Sequence, residues 1–143
     1  MPYPDRFYPV VDSVAWVARL AKLGVGTIQL RAKNLSKSDA LQTVKDALDV
    51  IHGTNARLVV NDYWRAAIEA GAKHLHLGQE DLVDADLKAI RAAGLTLGVS
   101  THDDEELTIG LAAKPDYVAL GPIYPTTLKS MRFAPQGIPK ITE

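Results

Sequence analysis

Residues 27–33 read Thr-Ile-Gln-Leu-Arg-Ala-Lys, an unbroken alternation of apolar and polar side chains after the threonine. Successive side chains of a β-strand point to opposite faces, so Ile28, Leu30 and Ala32 share one face and Gln29, Arg31 and Lys33 the other. In an open parallel sheet, helices cover both faces. Three polar groups on one face would then lie under apolar helices, at roughly 1–3 kcal/mol for each left without a partner. In a closed barrel the same face points inward and, near the C-terminal strand ends, onto a mouth where polar groups meet a ligand. An edge strand with one wetted face is the simpler alternative. The stretch favours a barrel.

The same grammar extends outward in both directions. Phe7 to Val11 is a short β-rich run, and Asp12-Ser13 opens a helix carrying Val14, Val17, Leu20 and Ala21 and stopping at Gly24. Ser36 opens a second helix with Leu41, Val44, Leu48 and Ile51 on its inner face, ending near Gly53. Leu58 to Val60 is a third strand, followed by a helix from Trp64 to Ala70 that stops at Gly71. Leu75 to Leu77 is a fourth, and Asp84 or Asp86 begins a helix through Leu87, Ile90 and Ala93. Leu95 to Val99 and Tyr117 to Leu120 are strands five and six, separated by a helix from Asp103 to Lys114. Residues 121–137 are loop-like and rich in proline. Strict strand–helix alternation predicts a parallel sheet with helices outside it. No Gly-x-Gly-x-x-Gly follows the first strand, which weighs against a dinucleotide-binding open sheet. A (β/α)₈ barrel needs about 200 residues or more, so the expectation is an α/β chain of TIM-barrel type with only about its first six β/α units, forming one domain over residues 1–143.

Composition narrows the function classes. The chain has 143 residues, 47% hydrophobic and 23% charged, with a net charge of −1. That balance gives no electrostatic push toward nucleic acid or an anionic membrane. There are no cysteines, which excludes disulfides and thiolate metal sites. No apolar run reaches membrane-spanning length and the N-terminus carries no secretory pattern, so the cytoplasm is expected.

The reactive residues gather at the strands' C-terminal ends: Arg31 and Lys33; Asn61 and Asp62; Gln79 and Asp81; Ser100, Thr101 and His102; Thr126, Thr127 and Lys129. Barrel active sites lie at that end. Two carboxylates at neighbouring strand ends, if about 4 Å apart, repel by roughly 4 kcal/mol at an effective dielectric near 20, and a shared magnesium ion removes the repulsion. With Arg and Lys beside them, these are the ingredients of a magnesium–phosphate site. The plainer alternative makes Asp62 a helix cap and Asp81 part of a solvated turn.

The segments YPVVDS (8–13), TIQLRAK (27–33), LVVNDYW (58–64), HLGQEDL (76–82), LGVSTHDD (97–104), YVALGPIYPTTLK (117–129) and FAPQG (133–137) together resemble the thiamine phosphate synthase family. The resemblance implies a (β/α)₈ enzyme that joins an aminopyrimidine methyl diphosphate to a thiazole phosphate, giving thiamine phosphate and diphosphate. It implies that Gln29, Arg31, Lys33 and Asn61 bind the pyrimidine diphosphate and that Asp62 and Asp81 hold Mg²⁺. Ser100 would meet the pyrimidine, Thr126 and Thr127 the thiazole phosphate, and Lys129 the diphosphate. Arg31, Lys33 and Lys129 would stabilise the departing diphosphate in a dissociative reaction. Its second step needs no general base, in keeping with strand ends that show no obvious His–carboxylate pair. Two departures stand out. The family's turn reads Pro-Thr-x-Thr-Lys, whereas Leu128 precedes Lys129 here, and the family's seventh and eighth strands have no counterpart before Glu143. The first and sixth strands would be open edges, so the expectation is a chain either poorly stable alone or completed by a second copy, the other alternative being a cut version of a longer product.

Other readings compete. His74 and His76 alternate on one strand as zinc ligands do in some hydrolases, although two imidazoles are too few. His102 flanks a helix, Trp16, Tyr63 and Trp64 pack, and Asp103 to Glu106 is a solvated helix start. A non-catalytic remnant that binds the pyrimidine diphosphate without turnover is the alternative from a different class.

Overall fold

Short buried strands alternate with helices through residues 3–126 and 134–142, which the computed structural model describes. These residues form two compact units: one runs up to His76 and includes Ala85–Thr96; the other comprises Leu77–Asp84 and the chain from Leu97 onward.

In the first unit β1 (Val10–Val11), β2 (Thr27–Leu30), β3 (Arg57–Asn61) and β4 (His74–Leu77, its last residue belonging to the second unit) lie side by side in chain order, all parallel. Helices α1 (Val14–Lys22), α2 (Lys37–Val50) and α3 (Trp64–Ala70) make the crossovers, and α5 (Leu87–Ala92) belongs to the same unit. In the second, β5 (Thr96–Thr101, its first residue belonging to the first unit) and β6 (Tyr117–Leu120) pair in parallel, with α4 (Gln79–Asp84), α6 (Asp104–Ala112) and a 3₁₀ turn at Ile138–Thr142. Chain-order winding lacks the reversal of strand order that marks a doubly wound sheet. The architecture is α/β, with the winding of the early units of a (β/α)₈ barrel.

β2 behaves as its alternation requires. Leu30 and Ala32 line a crevice with Ala40, Val44, Val60 and Tyr63, while Gln29, on the opposite face, is buried and donates to the Tyr8 hydroxyl at 2.9 Å. The strand is shorter than expected and ends at Leu30. Arg31 N still donates to Val11 O at 2.7 Å, and Asn34, at φ 61°, then turns the chain toward α2. The buried stripe of α2 is also displaced: it is Ala40, Val44 and Ala47, with Leu41, Leu48 and Ile51 half-buried beside it. Two alanines let the helix sit close to the sheet and leave the leucines to wrap its flanks. Four helices start at side-chain caps. Ser13, Ser36, Asp86 and Asp103 each accept the backbone N–H three residues on, at 3.2, 3.1, 3.0 and 2.8 Å, each contributing about 1 kcal/mol. In the β5–β6 pair the Tyr117 ring lies over Gly98, where a Cβ would meet it at 2.1 Å.

The strand-start end of the first unit carries a lock that the sequence does not announce. Asp5 N donates to Thr27 Oγ1 at 3.1 Å, and the Thr27 hydroxyl donates back to Asp5 Oδ2 at 2.7 Å. Arg57 Nη2 reaches the same carboxylate at 3.4 Å, its guanidinium lies 5.2 Å from the centre of the Tyr3 ring, and Tyr3 stacks on His74 at 4.5 Å. Thr27 is fully buried, so removing its acceptor leaves a buried donor unsatisfied. Asp5→Ala is expected to lower stability by roughly 1–3 kcal/mol, and Asp5→Asn by less. Urea unfolding midpoints at unchanged m-value test this; equal midpoints for Asp5→Ala and the parent would refute it.

Candidate functional site

Each parallel strand delivers its last side chains to the same end as its neighbours, and in the first unit that end carries Arg31, Lys33, Asn61, Asp62 and His76. Asn61, the last residue of β3, is 6% exposed and stands in register with His76 on β4. Asp62 follows in the left-handed conformation, φ 68°, which Asp tolerates better than most residues. Tyr63 N donates to Asn61 O at 2.9 Å and Trp64 N to Asp62 O at 2.6 Å, so the reversal into α3 is tight. The N-cap of α3 is Tyr63, which makes no side-chain capping bond, although its hydroxyl accepts from Leu35 N at 3.1 Å. The Asp62 side chain is 15% exposed and forms an ion pair with Lys33, itself 42% exposed. The structure thus joins two residues that the family resemblance gives to different partners, Lys33 to diphosphate and Asp62 to magnesium. Arg31 is half-buried.

His76 is 6% exposed, and burial lowers its pKa from 6.5 to about 4 against the opposing attraction of Asp62. It is a neutral imidazole at neutral pH, with one donor and one acceptor nitrogen. The zinc reading finds no support: His74 is engaged with Thr96 Oγ1 at 2.8 Å and with the Tyr3 ring, and no group of three His, Cys, Asp or Glu suited to a metal occurs among the described residues.

The second unit overturns the alternative reading of Asp81, carries β5 past Val99 and holds a pair that was not expected. Gly78 to Asp81 is not a solvated turn: Gln79 opens α4, and Asp81 lies half-buried in its first turn with Oδ2 folded back toward Gly78. Ser100 lies within β5 and is half-buried. A His–carboxylate pair does stand at this end. His102 Nδ1 lies 2.6 Å from Glu106 Oε2, which also accepts His102 N at 2.9 Å. Glu106 is 8% exposed, so the acidic run is not wholly solvated. The signal for it was the Asp103-x-x-Glu106 spacing of a capping box, in which the glutamate reaches back across the helix start. Thr126 is exposed, and Thr127 and Lys129 lie outside the described residues. Tyr8, which holds Gln29, carried no pattern that singled it out.

His76 makes the fold sensitive to acid. Its pKa lies below the unfolded value, so its contribution is complete above pH 6.5 and is lost as pH falls toward 4. The loss reaches the order of 3 kcal/mol once the pH is below about 4 and the folded form is protonated as well. Urea melts at pH 7 and pH 5 should differ less in His76→Gln than in the parent, and an identical pH dependence in both would count against this.

Comparisons with known proteins span the chain as a whole. A family model described as thiamine monophosphate synthase matches residues 7–143. The thiamine-phosphate synthase of Salmonella enteritidis PT4 is 54% identical over 141 residues, covering 99% of this chain and 67% of the relative. That of Rhizobium etli is 51% identical over 139 residues, covering 97% and 68%. Among solved structures, thiamine phosphate pyrophosphorylase from Pyrococcus furiosus superposes with a TM-score of 0.72 at 26% identity, over 83% of this chain and 61% of that one. A truncated 3-deoxy-D-arabino-heptulosonate 7-phosphate synthase from Thermotoga maritima, TM-score 0.56 at 15% identity, shares the fold alone. The chain therefore spans about two thirds of its bacterial relatives and somewhat less of the archaeal structure.

Proposed function

From the premise that the chain belongs to the thiamine monophosphate synthase family, we propose that it joins 4-amino-2-methyl-5-(diphosphooxymethyl)pyrimidine to the thiazole phosphate, releasing diphosphate and thiamine phosphate. The observation that carries this reading is 54% identity to a thiamine-phosphate synthase across 99% of the chain.

The reaction has two steps. The bond between the pyrimidine methylene carbon and the diphosphate oxygen breaks, and its electron pair leaves with diphosphate. The amino group of the ring donates electrons to the cation left behind, and the thiazole nitrogen then attacks it. The barrier lies in the departing charge, which is where fixed cations act most strongly. Arg31, Lys33 and Lys129 are proposed for that role, with Gln29 and Asn61 orienting the diphosphate substrate, Ser100 meeting the pyrimidine, and Thr126 and Thr127 the thiazole phosphate. The Gln29 amide nitrogen is already held by Tyr8, which fixes the direction in which the rest of its side-chain amide faces.

Mg²⁺ when bound would supply positive charge to phosphate oxygens. Asp62 and Asp81 are the residues proposed to hold it, and the donor chemistry fits, since carboxylate oxygens suit a hard cation that keeps waters and substrate phosphates as its other ligands. In the structure that little-exposed carboxylate is paired with Lys33, so Mg²⁺ would take the place of the ammonium at its oxygens. We place the protein in the cytoplasm and assign it small-molecule substrates; among the described residues no helix is long and apolar enough to cross a membrane. A second copy is the partner proposed for the strand edges.

Incubating the chain with both substrates and magnesium, and following thiamine phosphate, tests the reading. Substrate binding without product would favour the non-catalytic alternative. Asp62→Ala is expected to lower kcat by about a hundredfold or more while the affinity for thiazole phosphate changes less than about threefold. Comparable losses in both would refute the metal role.

A further inference from the structure

The end of β5 is held by a polar network that the proposed chemistry does not use. Gln79 Nε2 donates to Ser100 O at 2.8 Å and lies 3.4 Å from Glu106 O, so one amide joins α4, β5 and α6. The Glu106 carboxylate accepts His102 N and contacts His102 Nδ1, which fixes the backbone two residues beyond Ser100. Asp103 Oδ1 accepts Glu106 N at 2.8 Å and sets the start of α6. The residue between, Thr101, is 1% exposed and donates its hydroxyl to Ala119 O at 2.9 Å. Backbone on both sides of Ser100 is thus tied by side chains with little exposure to competing water.

We propose that Gln79 and the His102–Glu106 pair are positioning residues for Ser100, holding its hydroxyl in place for the pyrimidine ring. This rests on the reading of Ser100 given above. Gln79 acts from the carbonyl side of Ser100 and Glu106 from the chain beyond it. Neither touches substrate; together they leave the β5 terminus one conformation, and small displacements of a contacting group have large effects on recognition.

The test is calorimetric titration of the intact chain with the aminopyrimidine methyl diphosphate and, separately, with the thiazole phosphate. Gln79→Ala and Glu106→Ala are each expected to weaken the pyrimidine ligand about tenfold and the thiazole ligand less than about twofold. Glu106→Gln, which keeps one acceptor oxygen, should recover most of that loss. In a Ser100→Ala background Gln79→Ala should add less than about twofold, since its effect runs through Ser100. Should Gln79→Ala fail to fold by circular dichroism, Gln79→Glu serves, as it sets an acceptor against the Ser100 carbonyl. Equal weakening of both ligands, or additive effects of Gln79→Ala and Ser100→Ala, would overturn the positioning role. If Ser100→Ala leaves pyrimidine affinity unchanged, the Ser100 assignment falls and takes the proposal with it.

Discussion

A buried parallel strand has two faces, and only one of them can be filled by the helix that follows it. The architecture depends on that constraint. Ile28 and Leu30 occupy the helix side of β2 and are almost fully buried. Thr27 and Gln29, on the other face, are equally buried yet polar, and each has a hydrogen-bond partner: Asp5 for Thr27, Tyr8 for Gln29. A polar group shut away from water costs a few kcal/mol without such a partner and little with one. The inner face therefore tolerates chemistry only where neighbouring elements supply its complements, and residues 5–8 do so for β2.

At the opposite end of the strands the same rule produces reactivity. Asp62 leaves β3 in a left-handed conformation of its own, turned toward Lys33, and set beside a histidine too buried to hold a proton near neutral pH. A carboxylate, an ammonium and a neutral imidazole thus share one strand-end cluster in which charge is balanced locally.

Much of this could be read from residue order. The caps Ser13, Ser36, Asp86 and Asp103 mark helix starts through local hydrogen bonding, and the apolar runs at 58–60 and 75–77 mark strands through hydrophobicity; both signals are short-range. Helix α4 was not legible because its 6 residues, directly after Gly78, are too few to show a helical period, and Leu82 is its one buried residue. The α2 stripe was misjudged by one position because leucine is more hydrophobic than alanine, whereas close approach to a sheet favours the smaller residue. The Asp5–Thr27, Tyr8–Gln29 and Gln79–Ser100 contacts join residues about twenty apart, and no periodicity encodes such pairs. Family likeness named Arg31, Asn61 and Asp62 as residues of interest; it did not foresee that Lys33 and Asp62 would meet.

The lock on Thr27 bears on how the molecule is made. Its carboxylate, Asp5, is 52 residues upstream of Arg57, and the neighbouring Tyr3 ring rests on His74, whose own partner is Thr96. During synthesis residues 3–5 emerge before the strands they rest on, and their resting place is finished only once Thr96 has followed. These residues are thus among the later parts of the first unit to settle, and until then the nascent chain carries a Tyr3 ring with neither His74 nor Arg57 against it.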